Sequence, residues 1–153
     1  MRAAANAFCA VAILAAGCLT SAAHDHATGV VKERMEMMEA MAKRLKAIRE
    51  RVDAKRDLTA IKADAEAIAS HAPHIVHLFP PGSTQKPTDA RGTIWQNWAD
   101  FQRKTTALKD ASNKLANVSV DDLEGFRDAA GAVSQACGEC HEKYRIKRRK
   151  GDL

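Results

Sequence analysis

Residues 123–144 read LEGFRDAAGAVSQACGECHEKY. Leu123, Phe126, Ala130, Val133, Cys137, Cys140 and Tyr144 recur at steps of three and four, the spacing of one face of an α-helix packed along a seam. The same stretch carries Cys137-Gly138-Glu139-Cys140-His141, two thiols three apart with an imidazole directly after them. That arrangement is the attachment signature of c-type haem. Each thiol adds across one vinyl group of the porphyrin, and the adjacent imidazole reaches the iron. On a helix, Cys137 and His141 lie one turn apart and share a face, so both can meet one macrocycle.

Three further segments show the same spacing. The first runs Val31, Arg34, Met38, Met41, Leu45, Ile48, Val52; the second Leu58, Ile61, Ala65, Ile68, Ala72; the third Ile94, Trp98, Phe101, Thr105, Leu108, Ser112, Leu115. No strand-like alternation competes with them. Asp53 to Asp57 suits a short antiparallel turn between the first two helices. Pro73, which has no amide donor and restricts the residue before it, ends or kinks the second. From there to Gly92 runs a connection containing Pro80, Pro81, Gly82 and Pro87. Such a length is tolerable if it wraps the bundle, with Ile75, Val76, Leu78 and Phe79 tucked inward. Ser119, with Asp122 three positions on, is the expected cap of the fourth helix. The prediction is an all-α protein, an antiparallel four-helix bundle of up-down topology, with covalent haem near the C-terminal helix.

The N-terminal residues read as an export signal. Arg2 gives a positive start, Ala7 to Leu19 an apolar run, and Ser21-Ala22-Ala23 a cleavage site before His24. The expected organisation is a signal peptide over 1–23 and one haem-binding bundle over 24–153, placed in the periplasm. The run is short for a transmembrane span, and no later segment approaches the roughly 20 apolar residues one needs. An uncleaved anchor, or a lipid on Cys18 within Ala15-Ala16-Gly17-Cys18, are the competing readings. Of four cysteines, Cys9 and Cys18 fall in the signal, which leaves Cys137 and Cys140. A zinc site needs a second ligand pair that no other cysteine supplies. A redox Cys-x-x-Cys is expected beside a βαβ pattern, and none is visible.

An exported four-helix bundle with this motif on its last helix resembles the class II cytochromes c, the cytochrome c′ family. The resemblance covers nearly all of residues 24–153. It rests on Cys-x-x-Cys-His followed by Tyr144-Arg145, on Arg34, Met38 and Met41 in an Arg-x-x-x-(distal residue)-x-x-Met pattern, and on Ile94-Trp95. Glu33 departs from it, standing where an aromatic residue often precedes the arginine. What the resemblance implies is one haem c bound through Cys137 and Cys140, with His141 as an axial ligand. Met38 matches the distal position, where the high-spin branch has a non-ligating residue. A thioether ligates haem iron well and raises its potential, so the expected protein is similar to the low-spin, methionine-ligated branch. Met35, Met37, Met38 and Met41 crowd one helix, however, and methionine is a versatile core filler. Periodicity alone seats either Met38 or Met41 on the seam; by the resemblance Met41 packs on haem. Arg34 and Arg145 are candidate partners of the haem propionates, where a planar fork suits a carboxylate.

The formal charge is +5, or +4 without Arg2. Lys143, Arg145, Lys147, Arg148, Arg149 and Lys150 supply six positive charges, which complement the carboxyl end of the last helix. The alternative is that they steer docking to an acidic redox partner or an anionic membrane surface. Nucleic acid is not an expected partner of an exported haem protein, and relatives suggest a homodimer. His71, His74 and His77 recur every third residue, and His24-Asp25-His26 would follow cleavage; metal binding is the alternative reading of each. Trp95 and Trp98 read as core and haem-wall aromatics. No catalytic constellation is apparent, so an enzyme is not expected. The functional expectation is a single-electron carrier with His141 and Met38 on the iron. Its alternatives are a high-spin, gas-binding protein that takes nitric oxide, and a haem-free thiol-disulfide oxidoreductase.

Overall fold

The alternating spacing buries the faces it marks. The computed structural model describes residues 27–147. The expected signal peptide over 1–23, the alternative lipid site at Cys18, the alternative chelate at His24-Asp25-His26 and the basic residues Arg148, Arg149 and Lys150 lie outside them. Five helices follow in order: α1 (Gly29–Ala54), α2 (Leu58–His71), α3 (Thr93–Gln96), α4 (Trp98–Ala116) and α5 (Leu123–Tyr144). The four long ones pack α1 on α2, α2 on α4, α4 on α5 and α5 on α1, which closes a four-helix bundle. Among the described residues there is no strand, only an isolated antiparallel bridge between Ala90 and Arg145. No helix among them is long and apolar enough to cross a membrane.

Helix α1 buries Val31, Arg34, Met41, Ile48 and Val52, five of the seven positions its periodicity marks. It ends where Lys55 turns left-handed, at φ 52°, and sends its N–H to the Arg51 and Val52 carbonyls. Asp57 repeats that conformation, and Leu58 starts α2. The polar junction is therefore as short as the sequence requires. Ile48, Ile61, Ile68, Ile94, Phe101, Leu115, Phe126 and Val133 are fully enclosed where the four helices meet. Burial of each such side chain stabilises the fold by roughly 1.5–3 kcal/mol.

Three local expectations are corrected. Pro73 does stop α2, but the chain then tightens into a 3₁₀ segment, Ala72–Leu78, in place of a loop. Three residues per turn set Ala72, Ile75 and Leu78 on one edge; the first two are buried and Leu78 half-buried, and Phe79 is buried beyond them. The third predicted helix is two, because Asn97 leaves helical geometry at φ −125°, ψ 39°. Its Nδ2 donates to the Thr93 carbonyl at 3.0 Å, taking up a carbonyl at the end of α3. The cap of α5 is Asp122, not Ser119: its Oδ1 accepts the Gly125 N–H at 2.8 Å, while Ser119 Oγ bonds Asp121. A side chain at Gly125 would meet that folded-back carboxylate and oblige it to move.

His71, His74 and His77 sit on another edge of the 3₁₀ region. His74 and His77 are exposed, with ring centroids 6.4 Å apart. Among the described residues no group of three or more His, Cys, Asp or Glu is placed to hold a metal ion.

Candidate haem site

A cavity of about 580 Å³ opens between α1, α4, α5 and the segment after α2. Its size falls within the roughly 300–1,000 Å³ usual for cofactor sites. Helix α5 contributes Cys137, Cys140 and Tyr144 from its predicted seam, with His141 beside them. Helix α1 contributes Arg34, Met35, Met38 and Met41. Aliphatic and aromatic side chains, Ile68, Ile75, Phe79, Ile94, Phe101, Leu108 and Val133, form most of the remaining wall. Two thiols and an imidazole on one side, thioethers on another helix and an apolar remainder form a donor set that suits a porphyrin. The residues present therefore fit covalent haem.

Cys137 and Cys140 are free and half-buried. Burial pushes the Cys137 thiol above its ordinary value; burial and the neighbouring Cys137 push Cys140 up to about 11. A dithiol working as an oxidoreductase needs the opposite, a stabilised thiolate. His141 keeps an exposed ring, bordered by the cavity on one side and an open groove with Gly138, Arg145 and Lys147 on the other. The protein packed around it, and then the Arg145 charge, lower its pKa. Both effects favour the neutral imidazole that metal ligation requires.

Met35, Met38 and Met41 all line the cavity, whereas Met37 packs against the core without facing it. Met41 is buried, and Met35 and Met38 are half-buried. Arg34 is only 3% exposed. Its Nε donates to the Leu78 carbonyl at 3.0 Å, Nη1 to the Ser83 carbonyl at 3.1 Å and Thr88 Oγ1 at 3.0 Å, and Nη2 to the Leu78 carbonyl at 2.8 Å and Ser83 Oγ at 2.6 Å. All five donors of the guanidinium are thus taken within the chain. Arg145 is exposed at the end of α5, with Nη2 3.5 Å from Asp89. Its carbonyl accepts Arg91 Nε, while Ile146 N–H donates to the Asp89 carbonyl at 2.8 Å and Arg91 N–H to the Tyr144 carbonyl at 2.9 Å. This clasp sews residues 89–91 to the helix end that carries His141.

Several wall residues escaped the sequence reading. Thr88, Asp89 and Ala90 line the cavity where Arg34 holds the first and that clasp holds the other two. Lys104 lines it from α4 and donates to Glu139 Oε2 at 2.6 Å, so the residue between the two thiols links α5 to α4; Gln135 holds the other oxygen at 2.9 Å. Lys104 stands beside the predicted seam residue Phe101, one turn on, and that adjacency was the available signal. Neither tryptophan lines the cavity. Trp95 Nε1 instead donates to the Phe79 carbonyl at 2.9 Å, and Trp98 packs 5.7 Å from Phe101.

Comparison with known proteins places this geometry. The family described as cytochrome C′ matches residues 29–145. Among curated relatives, the chain is 34% identical over 73 residues to a cytochrome c-554 of Cereibacter sphaeroides, covering 46% of this chain and 48% of the relative. It is 38% identical over 71 residues to a cytochrome c-556 of Agrobacterium tumefaciens, covering 46% and 57%. The matched region thus spans about half the length of these curated relatives. Among solved structures, a cytochrome c′ with ligand-controlled dimer dissociation aligns with a TM-score of 0.72 at 27% identity, over 77% of this chain and 95% of that one. A nitric oxide complex of a cytochrome c prime variant from Alcaligenes xylosoxidans aligns with a TM-score of 0.68 at 32% identity, over 78% and 94%.

Proposed function

Because the chain belongs to the cytochrome c′ family, which binds one covalently attached haem c, we propose that it is a periplasmic single-electron carrier with His141 and Met38 as axial ligands. The observation that supports this reading is that α1 presents Met38, with Met35 and Met41, to the same cavity that Cys137, Cys140 and His141 line from α5; the choice of Met38 among the three rests on its match to the family's distal position. The haem, when bound, supplies a reversible one-electron couple. The chain's own residues do the rest. Cys137 and Cys140 anchor the ring, and His141 offers a neutral nitrogen. Ile68, Phe79, Phe101 and Val133 exclude water, and Met38 offers a soft sulfur donor that favours the reduced state. A thioether filling the distal position also denies it to small ligands.

A second reading is a high-spin protein that binds nitric oxide, and the solved neighbours support it better than they support a thioether ligand. Several of them are nitric oxide complexes of cytochrome c prime. In that case Met38 covers the iron without bonding to it. Either way the protein carries electrons or binds a gas, and no enzymatic activity is proposed. Its partner in the first reading is a redox protein. A homodimer also belongs to the proposal, supported by the dimer reported for one neighbour.

Optical spectroscopy of the purified protein tests the choice. We expect a low-spin ferric spectrum with a weak sulfur-to-iron band. Met38→Leu should abolish that band, lower the reduction potential and admit carbon monoxide to the ferrous protein. High-spin ferric haem in the unaltered protein, with ready carbon monoxide binding on reduction, would establish the second reading instead.

A further inference from the structure

We infer that Arg34 is a positioning residue that latches the Leu78–Thr88 segment over the cavity and so controls small-ligand access to the Met38 side. The access role rests on the reading that the iron lies in this cavity with Met38 at its distal face; the latch itself does not.

Arg34 reaches across more than forty residues of sequence to one short stretch. Every acceptor it uses, the carbonyls of Leu78 and Ser83 and the hydroxyls of Ser83 and Thr88, is neutral and belongs to that stretch. Its guanidinium also lies 4.0 Å over the centre of the Phe79 ring. A cation almost wholly removed from water is costly unless its donors are satisfied. Here the satisfaction comes from the segment alone, so the burial of the charge and the conformation of the segment hold each other in place. A lysine, with three donors on a point charge, cannot reproduce a planar fork that serves four acceptor atoms. Burial lowers the Arg34 pKa, yet an arginine stays charged at any working pH.

The latch matters to the cavity for two geometric reasons. Phe79, Pro87 and Thr88 are both latched residues, or neighbours of them, and wall residues of the cavity. Arg34 and Met38 are i and i+4 on α1, so the latch lies one turn from the proposed distal ligand on the same face. Further along, Ala90 N–H donates to Thr88 Oγ1 at 3.2 Å, which joins the latch to the clasp at the end of α5. Releasing Arg34 frees one end of this strip of wall while the clasp retains the other.

Hydrogen exchange and carbon monoxide association, measured on the intact haem-loaded protein, test the inference. In Arg34→Met we expect amide exchange at Phe79, Ser83 and Thr88 to quicken by about tenfold or more, with core amides such as Leu108 unchanged. Carbon monoxide association with the ferrous form, compared in the Met38→Leu background where the distal position is open, should quicken as well when Arg34→Met is added. Arg34→Lys should give an intermediate effect on both. Unchanged loop exchange, or a rise spread evenly over all helices, overturns the latch. Faster loop exchange with an unaltered association rate overturns the access role. If Arg34→Met does not fold, the Ser83→Ala/Thr88→Val double variant removes the two hydroxyl acceptors and should raise loop exchange locally; no rise there is equally fatal. The spectrum of the unaltered protein reports independently on the iron ligands, so the two readings fail separately.

Discussion

Tyr144 donates its hydroxyl to Asp100 Oδ2 at 2.6 Å. This bond ties the last residue of α5, one turn beyond His141, to the first turn of α4. Lys143 donates to the same oxygen at 2.8 Å, and Arg103 lies 3.0 Å from the other. The phenol ring stands edge-on to Phe101 with centroids 5.3 Å apart. The residue that follows the haem motif is therefore fixed by packing and by a carboxylate together. Tyr144→Phe keeps the packing and deletes the bond. It should lower Tm by a few degrees and quicken exchange at the end of α5, as seen by circular dichroism and mass-resolved hydrogen exchange.

The same cluster contributes to the pH dependence of stability on both sides. Hydrogen bonds from Lys143 and Tyr144 hold the Asp100 carboxyl well below its ordinary 3.8. A carboxyl lowered on folding stabilises the protein above its unfolded pKa, and that contribution fades as pH falls through the folded one. Burial and the Asp100 charge hold the Tyr144 phenol above its ordinary 10.0. Its contribution is complete below that value and is lost as pH rises through the raised one. Asp100→Asn should therefore lower stability near neutral pH, flatten the acid side of a stability profile between pH 2 and 4 and make the fall above about pH 10 shallower. Chemical denaturation across pH reads both.

Phe126 has no exposed surface and packs where α5 enters the core, three turns before the first haem cysteine. Phe126→Ala removes that volume and leaves a cavity that rigid helices only partly fill. The expected loss is about 3–5 kcal/mol by denaturant titration. The haem spectrum of the folded fraction should stay the same, because Phe126 does not line the haem cavity.

Helix positions were legible in the sequence because burial has a period that composition cannot hide. Every position of the α5 seam from Phe126 to Tyr144 is buried or half-buried. What the sequence concealed depends on long-range bonds. Arg34 carries the same signal whether it serves a propionate or a backbone carbonyl, and only a segment folded back from residues 78–88 decides where its donors go. The break at Asn97 was hidden for a related reason: the apolar spacing of Ile94, Trp98 and Phe101 runs through it unaltered. Ser119 and Asp122 are both good caps, and nothing local to either tells which amide will be left unpaired.

Asp122 supplies the test of that last point. Removing its carboxylate takes away the partner of the Gly125 amide in the first turn of α5, at a cost of about 1 kcal/mol. Asp122→Ala should show this loss by thermal denaturation, whereas Ser119→Ala should be close to neutral. Equal effects of the two would contradict the observed cap.

Attachment is tested by chemistry alone. With Cys137→Ser/Cys140→Ser, acidified organic solvent should extract the porphyrin, and the intact mass should fall to that of the polypeptide. Either single variant should retain one thioether and resist extraction, since each thiol forms its own bond. Pigment that resists extraction from the double variant would contradict attachment through these sulfurs.

The bridge between Ala90 and Arg145 has a consequence for the order of assembly. Ala90 precedes α3 and Arg145 follows α5, so the bridge can form only once α5 has packed back along the bundle. The strip of wall that it fastens therefore settles after the helices on which it closes.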